Sequence, residues 1–320
     1  MTLRARGKRR IPNVRDVVRA TTALRPERLR DRLGLDVTLA SETFQITGSF
    51  KFRAAYNVAA SVPHPHILAA SSGNFGQALA CACRMLRKEC TVVMPANSAQ
   101  VKIDAVRSYG AVVDLVDTDR VSRADRVATL AAEFPDAYVA SAFDDPLVIE
   151  GNSTLGEEIA IWESPPEVVV APVGGGGLTS GLVTGLRLSG CRARVIGAEP
   201  LLANDAARSL REGRIVSNER EPPTVADGAR TLSLGQCNWE ILSKGLATVV
   251  EVREELIGEA VRLLFADANL KAEPTGALGL AAILAAPELF RDQSVCCVVS
   301  GGNVDPFVYA SLLMGGRLDG

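Results

Sequence analysis

The stretch Val168-Val169-Val170-Ala171-Pro172-Val173-Gly174-Gly175-Gly176-Gly177 runs from an apolar strand pattern directly into four glycines. A helical pattern opens at Leu178, so the sequence predicts a strand, a glycine loop and a helix in succession. Successive backbone N–H groups of such a loop can converge on a phosphate at the helix N-terminus. The spacing matches neither the dinucleotide nor the nucleoside-triphosphate glycine motif. The alternative is a turn that packs the helix closely on the strand, although four consecutive glycines carry a conformational cost.

The same alternation of short β-branched runs and Ala-rich helical patterns continues on both sides of this loop. It runs through residues 66–142 and resumes beyond them. Strands that alternate with helices predict an α/β fold with parallel sheets. We expect residues 66–142 to form a small domain, inserted in a large domain made of residues 1–65 and 143–320. The active site should lie between the two domains, at the carboxyl ends of the strands.

The composition describes a globular chain without a large excess of charge. Its 320 residues are 47% hydrophobic and 22% charged, which is enough to bury a substantial core. The formal net charge of -2 and the pI near 5.9 give no electrostatic reason to expect nucleic acid or an anionic membrane surface as a partner. No run approaches the ~18 apolar residues of a membrane span. A small molecule is therefore the expected partner.

The cysteines and the first ten residues bear on cellular location. The seven cysteines form an odd set without a C-x-x-C pair, which favours a reduced, cytoplasmic chain over a disulfide framework or a zinc site. The basic start, MTLRARGKRR, is typical of a solvated arm, and a short transit peptide is the alternative. The two histidines, His64 and His66, lie in a Pro-rich connection, so we do not expect a histidine general base.

One lysine is distinguished by its neighbours. Lys51 lies in TGSFKFRAA, where Gly48-Ser49 could begin a helix. Phe50 and Phe52 flank it and predict partial burial, which lowers the pKa of a lysine from about 10.4 and makes the amine usable as a nucleophile and a base. The alternative is a solvated surface lysine.

Two further loops rich in Gly and Ser end predicted strands. Ser71-Ser72-Gly73-Asn74 precedes a helix, and its N–H and hydroxyl groups suit a substrate carboxylate, although an ordinary helix cap has the same composition. Ser300-Gly301-Gly302-Asn303 offers a hydroxyl that could face a ring nitrogen, although by itself it is only a turn. An imine-forming amine, a phosphate loop and these hydroxyls together indicate pyridoxal 5'-phosphate as the cofactor.

A separate group of polar residues suggests a cation site. The segment from Glu199 to Asp205 reads EPLLAND, with a carboxylate at each end. Two carboxylates and an intervening carbonyl could hold Mg²⁺ or Ca²⁺. Carboxylates that cap the following helix are the alternative.

These stretches resemble the fold-type II pyridoxal phosphate enzymes, specifically the threonine/serine dehydratase and serine racemase branch. The resemblance runs from about Val18 to Pro306. It includes TGSFKFRAA, SSGNFGQALA, MPANSAQVKIDAVRSYGA, FDDPLVIEGNSTLGEEI, VGGGGLTSGL, GAEPLLANDA, VADGAR, EPTGALG and SGGNVD. It implies a tryptophan synthase β-like fold, with the active site between two parallel-sheet α/β domains.

The resemblance also implies a role for each matching residue. Lys51 would form the imine with the cofactor, and Ser72 would be a second base on the opposite face of its ring. The implied cofactor-binding residues are Lys51, Phe50, Asn74, Gly174, Gly175, Gly176, Gly177, Leu178, Gly228, Glu273 and Ser300. The implied substrate-binding residues are Ser71, Ser72, Gly73, Asn74 and Phe75. Glu199, Asp205 and the carbonyl of Ala203 match the divalent-cation site of the racemase-like members.

The implied activity is that of a dehydratase, or ammonia-lyase, that converts a β-hydroxy amino acid of the threonine/serine type to a 2-keto acid and ammonia. Relatives with this architecture are often dimers, so a homodimer is expected. The runner-up is an amino-acid racemase on the same scaffold, in which Ser72 would reprotonate the substrate. A third hypothesis is a cofactor-binding protein without turnover.

The chain departs from the family pattern at several positions near the substrate. Phe75 stands where close relatives usually have His, which removes a polar group. FRAA replaces FRGA, LASETFQ lacks the usual lysine, and GNST replaces GQGT. These changes leave cofactor binding intact, and they suggest a β-hydroxy amino acid that is bulkier or less polar than serine.

Overall fold

The computed structural model describes residues 11–71 and 73–316, and ten strands form two sheets in that part of the chain. In chain order the strands are β1 Thr22–Leu24, β2 Asp36–Ser41, β3 His66–Ala70, β4 Glu89–Pro95, β5 Val112–Val116, β6 Ala137–Ala140, β7 Val168–Pro172, β8 Arg194–Pro200, β9 Leu246–Val252 and β10 Ser294–Val299. The larger sheet has the order β1-β2-β10-β7-β8-β9, and the smaller has the order β5-β4-β3-β6. Every neighbouring pair is parallel except β1 and β2. The predicted α/β fold with parallel sheets is confirmed.

Thirteen α-helices within the described residues connect and cover these strands. In chain order they are α1 Val14–Val17, α2 Glu27–Leu33, α3 Lys51–Ser61, α4 Asn74–Leu86, α5 Gln100–Ser108, α6 Arg123–Glu133, α7 Pro146–Ala160, α8 Gly177–Leu188, α9 Asp205–Glu212, α10 Gln236–Gly245, α11 Glu254–Ala268, α12 Pro274–Ala285 and α13 Pro306–Leu313. None of them combines the length and the apolarity that crossing a membrane requires.

Alternate side chains of β7 belong to two different cores. Val168 and Val170 pack with residues of α11 and α12, whereas Val169 and Ala171 pack with residues of α7 and α8. The whole strand is buried, as expected for a parallel strand that helices cover on both faces. This double burial explains why the strand reads in the sequence as an unbroken apolar run rather than an alternating one.

The smaller sheet lies between His66 and Ala140, within the segment predicted to form the small domain. Its core extends beyond that segment, because Phe52 and Tyr56 of α3 pack with residues of α4 and β4. Helix α3 also packs against α7. The division into residues 66–142 and the remainder stays a prediction, and α3 is the element that joins the two parts.

The alternating strands and helices that the sequence predicted between residues 66 and 299 are present. Helix α3 begins at Lys51, one residue after the Gly48-Ser49 pair that was expected to open it. The sequence did not indicate the antiparallel pair of β1 and β2, or helices α1, α2, α10 and α13. The basic segment of residues 1–10, interpreted as a solvated arm or a transit peptide, lies outside the described residues.

Candidate active site

The carboxyl ends of three strands carry the loops that the sequence singled out. Ser300 follows β10, the four glycines follow β7, and Ser71 follows β3. The residue before Lys51 reaches the first of these loops, because the N–H of Phe50 donates to the carbonyl oxygen of Ser300 at 3.0 Å. Ser49 and Gly301 form an isolated antiparallel bridge. The start of α3 is thereby fixed against the end of β10.

The Lys51 amine is enclosed by protein at the start of α3. Its Nζ donates to the carbonyl oxygen of Ala142 at 2.7 Å. The same nitrogen lies 5.1 Å from the ring centroid of Phe50 and 5.9 Å from that of Phe75. Burial lowers the pKa of Lys51 to about 8, and attraction to Glu273 opposes the decrease. A useful fraction of the amine is therefore neutral near physiological pH, as a nucleophile or base requires.

Backbone conformation and close packing both require glycine in the loop after β7. Gly174 and Gly176 have φ values of +53° and +97°, in the left-handed region. A Cβ on Gly175 would lie 2.4 Å from the ring of Phe143, and one on Gly177 would lie 2.9 Å from the Phe143 carbonyl oxygen. The loop is therefore closely packed against Phe143, as the alternative to a phosphate site anticipated.

The same loop turns its carbonyl groups towards the protein. The carbonyl oxygen of Gly175 accepts from Nδ2 of Asn238 at 2.8 Å, and that of Gly177 accepts from Nδ2 of Asn152 at 3.0 Å. Among the described residues, no acceptor pairs with the N–H groups of Gly174 and Gly175 or with those that open α8. Unpaired N–H groups at a helix N-terminus are what a phosphate needs, so the loop fits the phosphate of the expected cofactor.

Two further residues that were predicted to bind the cofactor, Asn74 and Glu273, are in direct contact. Nδ2 of Asn74 donates to Oε1 of Glu273 at 2.7 Å, and Oδ1 of Asn74 accepts from Nδ2 of Asn303 at 2.8 Å. Glu273 is 4% exposed, and burial, together with repulsion from Asp227, raises its pKa to about 8. This carboxyl group is therefore mostly protonated near neutral pH.

The remaining predicted cofactor-binding residues lie in the same region. Ser300 is buried at the end of β10, and Leu178 is buried at the start of α8. The N–H of Gly228 donates to Oγ1 of Thr275 at 2.9 Å, and its carbonyl oxygen lies 3.2 Å from the place of a Cβ on Gly174. The structure thus brings together Lys51, the glycine loop, Asn74, Gly228, Glu273 and Ser300.

The loop after β3 is partly used as a helix cap. Oγ of Ser71 accepts from the N–H groups of Gly76 at 3.0 Å and Gly73 at 3.4 Å, so this hydroxyl caps α4 as the alternative interpretation anticipated. Ser72, the predicted second base, lies outside the described residues. Phe75 is buried in the first turn of α4 and presents an apolar surface near Lys51.

The predicted cation site contains two buried carboxylates. Glu199 accepts from two backbone N–H groups of α9 at 2.7 and 3.2 Å, so it also acts as a helix cap. Oδ1 of Asp205 accepts from Asn218 at 3.0 Å, and Oδ2 is buried with no partner among the described residues. Burial raises the pKa of Asp205 to about 6 and that of Glu199 well above its usual value. Ala203 is buried in the turn between them.

Sequence reasoning missed three residues that shape the glycine loop. Asn152 and Asn238 hold its carbonyl groups, and Phe143 fills the space beside Gly175. Asn152 belongs to GNST, where the chain departs from the family pattern, and that departure is the signal that could have found it. Asn238 and Phe143 carried no comparable signal, because their partners lie far away in the sequence.

Comparisons with known proteins agree with pyridoxal phosphate as the cofactor. A family model described as "Pyridoxal-phosphate dependent enzyme" matches residues 14–301. The L-threo-3-hydroxyaspartate ammonia-lyase of Pseudomonas sp is 36% identical over 286 residues, 88% of this chain and 89% of that protein. The serine racemase of Bos taurus is 32% identical over 305 residues, 92% of this chain and 90% of that protein. The solved threonine deaminase of T.th. is similar at a TM-score of 0.87 and 39% identity, covering 92% of this chain and 96% of that chain.

Proposed function

The chain belongs to the family of pyridoxal-phosphate-dependent enzymes, and on that premise we propose that it is an ammonia-lyase that converts a β-hydroxy amino acid to a 2-keto acid and ammonia. The observation that carries the proposal is the Lys51 amine, which lies enclosed between the loops that fit the cofactor and has a pKa lowered by burial to about 8. Relatives named as ammonia-lyases of hydroxyaspartate and of threonine support the reaction class.

When bound, pyridoxal phosphate serves as an electron sink for the carbanion at the substrate α-carbon. Nζ of Lys51 would take the α-proton as general base, and its hydrogen bond to the Ala142 carbonyl oxygen orients the amine. Ser300 would place a neutral hydroxyl at the ring nitrogen. A hydroxyl, unlike a carboxylate, does not hold that nitrogen protonated, which favours loss of the β-hydroxyl over transamination.

The substrate would be held by the first turn of α4. In the Ser71 to Asn74 loop, the N–H of Ser71 donates to the carbonyl oxygen of Val93 and that of Gly73 donates to Oγ of Ser71. The N–H of Asn74 and the positive end of the helix therefore remain to suit the α-carboxylate. Phe75 supplies an apolar surface in place of a polar group, and its ring faces the Lys51 amine. A β-hydroxy amino acid with an apolar β-substituent, of the threonine type, fits this surface better than serine or a dicarboxylic acid.

A substrate panel tests the proposal. The purified enzyme, loaded with pyridoxal phosphate, should release 2-keto acid and ammonia in equal amounts from L-threonine. The rates with L-serine and L-threo-3-hydroxyaspartate should be lower. Lys51→Ala should abolish turnover, whereas Lys244→Ala, which alters an exposed lysine of α10, should not. Full turnover by the Lys51 variant would rule out the assigned base.

The runner-up function is an amino-acid racemase, which the similarity to serine racemases favours. It needs a second base, and Ser72 is the residue that we assign to that role. Chiral analysis of recovered substrate separates the two functions. Racemised substrate without 2-keto acid would favour the runner-up, and Ser72→Ala should then abolish the exchange. A cofactor spectrum that no amino acid alters would instead favour a binding protein without turnover.

We also propose a Mg²⁺ or Ca²⁺ ion at Glu199, Asp205 and the carbonyl of Ala203. The residues fit, because the two carboxylates are buried close together and Oδ2 of Asp205 has no partner among the described residues. A divalent cation would supply that partner and would favour the ionised form of both acids.

Two further proposals concern assembly and location. We propose a homodimer in the cytoplasm, in line with the reduced cysteines and the resemblance to dimeric relatives. Light scattering of the purified chain at several concentrations tests the dimer, and a mass equal to one chain throughout would contradict it.

A further inference from the structure

Asn303 connects three segments of the candidate active site through one side chain. It lies in the loop that follows β10. Its Nδ2 donates to the carbonyl oxygen of Thr47 at 2.8 Å and to Oδ1 of Asn74 at 2.8 Å. Thr47 lies in the loop before Lys51, and Asn74 is the first residue of α4. One amide group thus joins the end of β10, the loop before α3 and the start of α4.

The backbone around Asn303 fits closely against the loop before α3. The N–H of Gly302 donates to the carbonyl oxygen of Gly48 at 2.9 Å. Gly48 has a φ value of +74°, and a Cβ on this residue would lie 2.4 Å from Oδ1 of Asn303. Residue 48 is therefore a glycine both for its backbone conformation and for the close approach of the Asn303 amide.

The direction of these hydrogen bonds follows from the chemistry of the partners. A backbone carbonyl group only accepts, so the Asn303 atom that contacts Thr47 must be the amide nitrogen. The same nitrogen contacts Asn74, so the Asn74 atom at that contact must be its oxygen. The nitrogen of Asn74 then faces Glu273 and donates to Oε1 at 2.7 Å.

Glu273 alone would not select this orientation of the Asn74 amide. Burial, together with repulsion from Asp227, raises the pKa of Glu273 to about 8, so its carboxyl group is mostly protonated near neutral pH. A protonated carboxyl group has both a donor and an acceptor, and either end of an amide can face it. The bond from Asn303 is therefore the contact that determines which end of the Asn74 amide faces Glu273.

We propose that Asn303 is a positioning residue that orients the Asn74 amide so that an N–H group of Asn74 faces the cofactor. This inference rests on the proposed function, in which Asn74 binds pyridoxal phosphate. One hydrogen of the Asn74 nitrogen is used by Glu273, and the other has no acceptor among the described residues. This second N–H suits the phenolic oxygen of the cofactor, because a donor stabilises the ionised form of that oxygen. A reversed amide would place a carbonyl oxygen there and would disfavour the ionised form.

The absorbance of the bound cofactor tests this proposal. The ionised form absorbs at longer wavelength than the neutral form. Asn303→Asp keeps the size of the side chain and replaces its donor by an acceptor, which should attract the nitrogen of Asn74 and reverse its amide. The ratio of long-wavelength to short-wavelength absorbance at a fixed pH should fall about tenfold, as expected for the loss of a hydrogen bond to a charged group. An unchanged ratio would overturn the proposal.

A second variant controls for the added charge. Oε1 of Gln77 lies 3.5 Å from Nδ2 of Asn303. Gln77→Glu therefore adds the same charge nearby but leaves the bond from Asn303 to Asn74 in place. The absorbance ratio of this variant should stay close to that of the wild type. An equal fall in Gln77→Glu and Asn303→Asp would show that charge, and not the orientation of the amide, is responsible, and it would overturn the proposal.

Asn303→Ala provides a test that adds no charge, and it also serves if Asn303→Asp does not fold. This variant leaves the Asn74 amide free to reverse, so the absorbance ratio should fall, although less than in Asn303→Asp. In the background of Asn74→Ala, the same substitution should leave the ratio unchanged, because the residue through which Asn303 acts is missing. An equal fall in both backgrounds would mean that Asn303 acts independently of Asn74, and it would overturn the proposal.

These measurements need the bound cofactor but no substrate. An enzyme that binds the cofactor and releases no ammonia from any amino acid would contradict the proposed ammonia-lyase function. The absorbance ratios of the Asn303 variants would still decide whether this residue orients Asn74.

Discussion

Asn74 and Glu273 are hydrogen-bonded to each other, and Nδ2 of the amide donates to Oε1 of the carboxyl group at 2.7 Å. The contact joins the first residue of α4 to the residue that precedes α12. A second link between the same parts is the ion pair of Lys102 on α5 with Asp227 beside Gly228. Asn74 and Glu273, two of the residues that would hold the cofactor, thus also link α4 to the start of α12.

The first prediction concerns the pH dependence of stability. The folded pKa of Glu273 is about 8, above its usual 4.5, so the folded state binds this proton more tightly than the unfolded state. Its contribution to the free energy of unfolding is complete below pH 4.5 and is lost as the pH rises to about 8. The loss amounts to about 1.4 kcal/mol per pH unit in that window. Glu273→Gln stays neutral and should remove this slope.

Urea unfolding of the apoenzyme between pH 5 and 8 checks this expectation. The difference in unfolding free energy between the Gln variant and the wild type should grow with pH in favour of the variant. A difference that does not vary with pH would mean that Glu273 is already ionised in the fold.

The second prediction concerns covalent capture of the cofactor by Lys51. The neutral amine is the reactive form, and its pKa is about 8. The rate at which the apoenzyme binds pyridoxal phosphate covalently should therefore rise about tenfold per pH unit below 8 and level off above it. Absorbance near the visible edge follows the rate, and borohydride followed by peptide mapping locates the bond. A plateau reached only near pH 10 would contradict the burial of this amine.

The third prediction separates packing from phosphate binding in the glycine loop. Gly175→Ala places a Cβ 2.4 Å from the Phe143 ring, so the ring or the loop must move. We expect a loss of about 1–3 kcal/mol of stability and weaker cofactor binding. Adding Phe143→Leu should restore part of both, with Phe143→Leu alone as the control. If the double variant regains stability but still binds the cofactor poorly, the N–H groups of the loop are the feature that matters.

The larger sheet could be predicted from the sequence because its central strands, such as β7 and β10, are buried. An unbroken apolar run such as Val168 to Val173 is typical of a parallel strand that is buried on both faces. The glycines after it predict the next turn. Lys51 and the three loops were found because each has an unusual local composition. The glycine loop and the Ser300 loop meet because β7 and β10 are neighbouring parallel strands, whereas the Ser71 loop ends a strand of the smaller sheet.

Long-range partners are what the sequence could not indicate. Asn238 reaches Gly175 across 63 residues, and nothing around Asn238 shows that its amide is buried. The pKa of Glu273 depends on Asp227 and on burial by segments that are distant in the chain. At Ser71 the local composition was compatible with both a ligand site and a helix cap, and its hydroxyl caps α4.

The fourth prediction concerns substrate choice. Phe75→His restores a polar group in the first turn of α4, near the Lys51 amine. The ratio of kcat/KM for L-serine to that for L-threonine should rise, and changes of this size in a pocket are worth about 1–3 kcal/mol, or roughly 10–200-fold. Phe307→His, at an exposed position of α13, is the matched control and should leave the ratio unchanged. An unchanged ratio in Phe75→His would mean that this ring does not contact the β-substituent.

The fifth prediction concerns the divalent cation. Mg²⁺ or Ca²⁺ should raise the free energy of unfolding by about 2.7 kcal/mol when its concentration is a hundred times the Kd. Because burial raises the pKa of Asp205 to about 6, protons compete with the cation below that pH, and the stabilisation should fall as the pH drops through 6. Asp205→Asn should abolish the effect, whereas Glu240→Gln, at an exposed position of α10, should preserve it. Stabilisation that persists in Asp205→Asn would place the cation elsewhere on the chain, and Glu199 with Asp205 would then act only as buried acids that cap and brace α9.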